Sequence, residues 1–225
     1  MSDQDESVWV VFNGEIYNFL ELRKELEGYG HVFRTRSDTE VIVHGYKQWG
    51  DEVLNKLNGM FGLAIWDARR KRLVVARDPF GIKLIYYRVD GKRLYFGSEI
   101  RAVRAATPDK AEIDPTSLNL FLRHRYTPSP YTIVKGVNKL APGTKITVEN
   151  GSLEVSRWYQ FKPTPFSPAK STDEAKEELL TLYKQAMKRQ LISDVPVGLL
   201  LSGGLDSGLL LALMNLYGKE WPTYT

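Results

Sequence analysis

The chain has 225 residues, of which 43% are hydrophobic and 26% charged, with a formal net charge of +4. That length allows one large domain, or one medium domain and the start of another, and the interspersed signs of charge give no basic stripe that would argue for nucleic acid. There is no cysteine, which excludes a disulfide scaffold, a thiol-ligated metal and a cysteine nucleophile among these residues.

The start, Met1-Ser2-Asp3-Gln4-Asp5-Glu6, is polar and acidic and is no signal peptide. No apolar run approaches the roughly 18 residues of a membrane helix, so no membrane partner is expected and the expected location is cytoplasmic. Val8 to Phe12 is β-branched and aromatic and reads as a buried strand. Glu15 to Glu27 has helical periodicity, with Leu22 and Leu26 on one face and Gly28 near the end. Asn13-Gly14 would then sit between strand and helix. His31 to Arg36 alternates like an edge strand. Ser37-Asp38-Thr39-Glu40 has the form of a capping box and opens a helix carrying Val41, Val43, Tyr46 and Trp49, ended by Gly50.

Hairpins follow. Phe61 to Trp66 and Leu73 to Ala76 flank a charged turn, and Leu84 to Val89 and Leu94 to Phe96 flank Asp90-Gly91. Asp114-Pro115 opens a short helix through Leu122. Val134 to Val155 holds another hairpin around Glu149-Asn150-Gly151. Strands with amphipathic helices on their outer faces make an α+β sandwich. Composition then shifts. Lys162 to Ser171, with Pro163, Pro165 and Pro168, reads as a stiff extended linker between a first domain over 1–161 and a second over 172–225. Ser171 starts a long amphipathic helix with Leu179, Tyr183, Met187 and Leu191 on one stripe. Val195 to Leu201 is an apolar run of the kind seen in buried parallel strands. A glycine-rich turn and an apolar helix complete half of a doubly wound α/β arrangement.

That turn, Ser202-Gly203-Gly204-Leu205-Asp206-Ser207, suits a phosphate: glycines let the backbone approach an anion, and the helix start supplies N–H donors and a favourable dipole. It is neither a Walker A loop nor a dinucleotide fingerprint. Read locally, it is also compatible with a tight turn in which Asp206 merely caps the helix. At Asn13-Gly14 an exposed side-chain amide and a backbone N–H can converge as an oxyanion hole, each donor contributing roughly 3 to 4 kcal/mol in a transition state. A plain turn fits the same two residues.

The longer strings point further. Phe12-Asn13-Gly14-Glu15-Ile16-Tyr17-Asn18, Ser37-Asp38-Thr39-Glu40, Ala76-Arg77-Asp78-Pro79-Phe80-Gly81-Ile82-Lys83, Phe96-Gly97-Ser98-Glu99 and the Ser202 loop occur in one order along the chain. In that order they resemble the glutamine-dependent asparagine synthetases, a family joining a class II glutamine amidotransferase domain to an ATP-pyrophosphatase domain. The resemblance implies an Ntn-type fold of two antiparallel sheets between helices, its first strands missing here, followed by the start of an α/β domain. It implies that Asn13 and Gly14 donate to the oxyanion, and that Glu15 and Asp38 pair with the α-ammonium of glutamine. It implies that Ser202, Gly203, Gly204, Asp206 and Ser207 grip the phosphates of ATP, with Leu200 touching the nucleotide and Asp206 close to Mg²⁺. Gly208 departs from the serine often found there, and Leu84-Ile85 from the usual Pro-Leu.

The reaction so implied is amidation of aspartate with ammonia from glutamine. Glutamine, aspartate and ATP are then the expected substrates, and a homodimer is compatible with that expectation. The family's nucleophile is an N-terminal cysteine, whereas this chain starts Met1-Ser2. The family's carboxylate-binding arginine lies before the Asn-Gly-Glu string, where this chain has none. Two readings therefore stay open: a segment of a longer product, inactive by itself, or a short remnant that binds ligands or partners without catalysis. A related amide-forming enzyme such as a β-lactam synthetase is a further alternative, against which Asn13, Glu15 and Asp38 argue.

Overall fold

The computed structural model describes residues 1–163, 171–218 and 220–225. Its first unit, Met1–Phe161, runs β1 (Val8–Ile16), α1 (Phe19–Gly28), α2 (Thr39–Trp49), α3 (Val53–Lys56), β2 (Gly59–Asp67), β3 (Arg72–Arg77), β4 (Tyr86–Asp90), β5 (Arg93–Gly97), α4 (Ile100–Ala106), α5 (Pro115–His124), β6 (Asn138–Lys139), β7 (Thr144–Glu149) and β8 (Ser152–Arg157). One sheet has the order β1-β2-β3-β7-β8 and a second the order β5-β4-β6. Every pairing in both is antiparallel.

Alternation along the strands builds the layers. Val8 and Val10 of β1, Leu63 and Ile65 of β2, and Val74 and Ala76 of β3 pack with Leu22 and Leu26 of α1 and Val41, Ile42 and Tyr46 of α2. The intervening residues Ala64, Val75 and Ile146 turn to the other face, where they meet Ile85, Leu140, Tyr87, Leu94 and Phe96 around the second sheet. Tyr86, Val103 and Val137, with Tyr95 and Ile100, then place α4 on the outer side of that second sheet. The result is helices, sheet, sheet, helix: the antiparallel α+β sandwich expected from the sequence.

Several local expectations hold. The hairpins at Asp67–Arg72, Asp90–Arg93 and Glu149–Ser152 form. Asp114 caps α5 by accepting from the Ser117 N–H at 3.0 Å, with Pro115 in the first turn. Gly50 ends α2.

Others are corrected. β1 does not stop at Phe12 but continues through Asn13-Gly14 to Ile16, paired residue by residue with Asp67 to Gly59, and the helix starts only at Phe19. The expected turn is a strand interior because β2 approaches closely there. A Cβ on Gly14 would lie well inside contact distance of the Met60 carbonyl and 2.8 Å from the Phe61 Cα, so glycine is needed for approach rather than for turning. His31 to Arg36 forms no strand. Its backbone is held by a side chain instead: Glu40 accepts from the Arg34 and Thr35 N–H groups, each at 2.8 Å, and from the Thr35 hydroxyl at 2.6 Å. Glu40 is thereby diverted from the capping box expected with Ser37, whose hydroxyl accepts from the Thr39 N–H at 3.2 Å instead.

The second unit, Lys162–Thr225, contains α6 (Thr172–Gln190), β9 (Leu199–Leu200), α7 (Leu205–Met214) and β10 (Thr223–Tyr224). A full capping box opens α6: the Glu174 N–H donates to Ser171 Oγ at 3.2 Å, and the Ser171 N–H to the Glu174 carboxylate at 2.7 Å. β9 and β10 pair in parallel. The buried strand expected over Val195 to Leu201 is only these two residues, and Val195 and Leu200 are exposed. A single two-residue partner and no covering layer among the described residues leave that run outside a core. Leu179 and Tyr183 of the α6 stripe are exposed as well. Most of the linker expected over Lys162 to Ser171, including Pro165 and Pro168, lies outside the described residues.

Candidate functional site

β1 is an edge strand, and its outward N–H groups can be followed one by one. The Val8 N–H donates to the Asp3 carboxylate at 3.0 Å and the Val10 N–H to the Met1 carbonyl at 2.8 Å, while the Ile16 N–H donates to Asp38 Oδ2 at 3.0 Å. On the inward side the Tyr17 N–H donates to the Asn58 carbonyl. The register is unbroken from Val8 to Ile16, so the alternation of an antiparallel ladder sends the Phe12 and Gly14 N–H groups outward too. They occupy the stretch of edge between the Met1–Asp3 segment and Asp38.

Asn13 is exposed on the face of β1 opposite the helix layer. It lines a cleft of about 240 Å³ together with Gly62, Leu84, Ile85, Gly97 and Ser98. Glu15 projects from the same face, two residues on. Its carboxylate, after burial, is the second cause raising the Tyr17 phenol above its ordinary value. Asp38, at the start of α2, reaches the end of β1 through Ile16 and is held by the Ser37 and Thr39 hydroxyls at 3.4 and 3.3 Å. A contact between residues 22 positions apart thus brings Asp38 to the Ile16 end of the strand that carries the Asn13 amide, the outward Gly14 N–H and Glu15. Such a set offers donors to a developing oxyanion and acceptors to a cation.

A buried frame stands behind this edge, to which the sequence reading gave no role. Asp78, fully buried, accepts from the N–H groups of Phe80, Ile82 and Lys83 at 3.1, 3.0 and 2.9 Å, and from Phe61 at 3.3 Å. Arg77 donates to the carbonyls of Lys83, Leu140 and Gly81 at 2.6 to 2.7 Å, and burial pushes its guanidinium below its ordinary value. Phe61 pairs with Gly14, so Asp78 braces the strand that positions the Gly14 backbone. The neighbouring pair Leu84-Ile85 lines the cleft, with Ile85 buried. The signal in the sequence was the adjacent pair Arg77-Asp78 at the end of the apolar run Leu73 to Ala76.

In the second unit the Ser202 loop runs from β9 into α7. Gly203 has φ +75°, and beyond its chain neighbours no atom lies within 4 Å of where a Cβ would stand, a conformation that keeps the loop backbone open to an incoming group. Ser202 and Ser207 face each other, Oγ to Oγ, at 3.1 Å, and Ser207 also donates to the Gly204 carbonyl at 3.2 Å. Gly204 is the N-cap and Asp206 lies in the first turn. Ser202 to Asp206 are exposed and Ser207 is buried. An open loop at the start of a ten-residue helix, with two hydroxyls beside it, offers hydrogen-bond donors of the kind an anion takes. Leu200 is exposed in β9, two residues before the loop.

The layered antiparallel sandwich is the fold of an amidotransferase-type domain, and comparison with known proteins shows the family. Residues 1–159 match the glutamine amidotransferase domain family and residues 178–225 match asparagine synthase. The chain belongs to the glutamine amidotransferase domain family. It is 36% identical, over its whole length, to asparagine synthetase [glutamine-hydrolyzing] 1 of Bacillus subtilis, covering 35% of that protein. It is 38% identical over 91% of its length to asparagine synthetase 3 of the same organism, covering 33% of it. The rice asparagine synthetase 2 is 35% identical over 97% of the chain, which covers 32% of it. The chain therefore spans about a third of the length of the relatives it matches. Among solved structures, the allosteric regulatory enzyme of purine biosynthesis superposes with a TM-score of 0.50 at 18% identity, covering 100% of this chain and 46% of that one, a likeness of fold alone.

Proposed function

We propose that these residues are the glutamine-recognising part of a glutamine-dependent asparagine synthetase, followed by the phosphate loop of its ATP-using part. In this reading Glu15 and Asp38 hold the α-ammonium of glutamine. Asn13 Nδ2 and the Gly14 N–H then take the oxyanion formed when a nucleophile adds to the side-chain amide. Collapse of that adduct expels ammonia, and water releases glutamate. A thiol suited to the attack is not among the 225 residues, so this chain contributes recognition and charge stabilisation, and the nucleophile comes from another segment. In the second unit Ser202, Gly203, Gly204, Asp206 and Ser207 would hold the phosphates of ATP, beside Leu200. Mg²⁺ near Asp206 would supply charge neutralisation for the departing pyrophosphate. The aspartate β-carboxylate becomes an adenylate as pyrophosphate leaves, and ammonia displaces AMP to give asparagine. A cytoplasmic location and a homodimer go with this reading.

The observation that carries the proposal is the Asp38–Ile16 link, which brings the second carboxylate to the end of the strand bearing Asn13, Gly14 and Glu15. The test is a titration of the chain with L-glutamine, followed by amide chemical shifts. Shifts are expected at Gly14 and Ile16, lost in Asp38→Asn and absent with N-acetylglutamine, which has no α-ammonium. Equal shifts with both ligands, or none at about 100 mM glutamine, would overturn it.

A further inference from the structure

We propose that His31 and His44 form a binding site for a divalent first-row transition cation such as Zn²⁺, each contributing Nδ1. The two Nδ1 atoms lie 3.2 Å apart, with ring centroids at 5.1 Å and planes inclined by 64°. Each ring's other nitrogen already faces an oxygen: His31 Nε2 is 3.0 Å from Gln48 Oε1, and His44 Nε2 is 3.5 Å from Glu40 Oε1. Oxygens at both places call for N–H on both Nε2 atoms. That leaves both Nδ1 atoms without a proton at a separation of 3.2 Å, an arrangement that a cation bound to both relieves. An ion at about 2.1 Å from each nitrogen would subtend roughly 100°, near the tetrahedral angle.

The outer partners are those a metal-bound imidazole has, a carboxylate and an amide oxygen that set the tautomer and the ring orientation. Glu40 is itself fixed by the Arg34 and Thr35 N–H groups, and the His44 ring rests on Phe33 at 4.5 Å. Lys47 opposes a cation here, and Glu40 offsets it. His31 is only half-buried, which leaves a path for entry and for water at the remaining coordination positions. An ion there would tie the 31–37 segment that leads to Asp38 onto α2. None of this depends on the glutamine reading above.

The competing arrangement needs no metal. Gln48 turned about its amide would donate to His31 Nε2, and His31 Nδ1–H would donate to His44. Calorimetric titration of the untagged chain with Zn²⁺ at pH 7.5 separates the two. The expected result is one equivalent bound with half-saturation below about 100 µM, weakened at least about tenfold in His31→Gln and in His44→Gln and unchanged in His124→Gln. Co²⁺ should show tetrahedral absorption bands in the same proteins that bind Zn²⁺. His31 lies on a surface segment, so His31→Gln decides the matter even if His44→Gln fails to fold. No saturable uptake up to about 1 mM, or unchanged affinity in His31→Gln, would overturn the proposal.

Discussion

Asp51 is the residue whose replacement the structure makes most quantitative. It accepts from both terminal nitrogens of Arg72, at 2.6 and 2.8 Å, and pairs with Lys145. Arg72 is 9% exposed, and its Nε lies 3.2 Å from Glu149 without hydrogen-bond alignment. Although burial alone would raise it, the Arg72 and Lys145 contacts hold the Asp51 carboxyl at about 2 against the ordinary 3.8. A carboxylate lowered by that much contributes roughly 2 to 3 kcal/mol to the folded state at neutral pH. Asp51→Asn removes that contribution and leaves a buried guanidinium short of a partner, so the loss should be about 2 to 4 kcal/mol at pH 7. Because the folded value is the lower one, the stabilisation is complete above the unfolded value and fades as pH falls towards 2. By pH 3 the gap between wild type and variant should narrow by about 1 kcal/mol. Urea unfolding followed by tryptophan fluorescence at pH 7, 5, 4 and 3 measures this. A variant as stable as wild type at pH 7, or a gap that is flat with pH, would refute the reasoning.

Gly14→Ala should cost about 1 to 3 kcal/mol, because the added carbon meets the backbone of Met60 and Phe61 rather than a movable side chain; an unchanged melting temperature would contradict the close approach of β1 and β2. In hydrogen exchange, Val197 to Leu201 should be protected far less than Val8 to Phe12. The second unit's buried apolar side chains are Leu213 and Met214 among the described residues, which offset only a few kcal/mol of an ordering cost near 1 to 2 kcal/mol per residue. Equal protection would show the unit to be independently stable. Mg-ATP should show no saturation at about 1 mM, since an exposed loop buries little of a nucleotide, whereas sub-millimolar binding abolished by Asp206→Ala would prove the loop competent by itself. The chain alone should release no glutamate from glutamine, since it holds no thiol; release above that of an Asn13→Ala control would sink this expectation.

What the sequence by itself determined is what rests on near neighbours. The Asp114-Pro115 cap, the Ser171–Glu174 box and the Asn150-Gly151 turn each close within a few residues, so their chemistry is complete in the string that carries them. β2 and β3 were legible too, as apolar runs flanking a charged turn, because each strand faces a core on both sides. The candidate site residues were legible as strings, though not in their placement. Only the tertiary structure decided that Asn13-Gly14 lies inside a strand, since the reason is the backbone of β2 some 45 residues on, in contact with a missing Cβ. Only it decided that Glu40 turns back to Arg34 and Thr35 instead of capping, and that Asp38 reaches Ile16. A carboxylate has several acceptor sites and several local donors to choose from. Which donor it takes is set by where the packed helices and sheet bring the chain, and no local pattern records that.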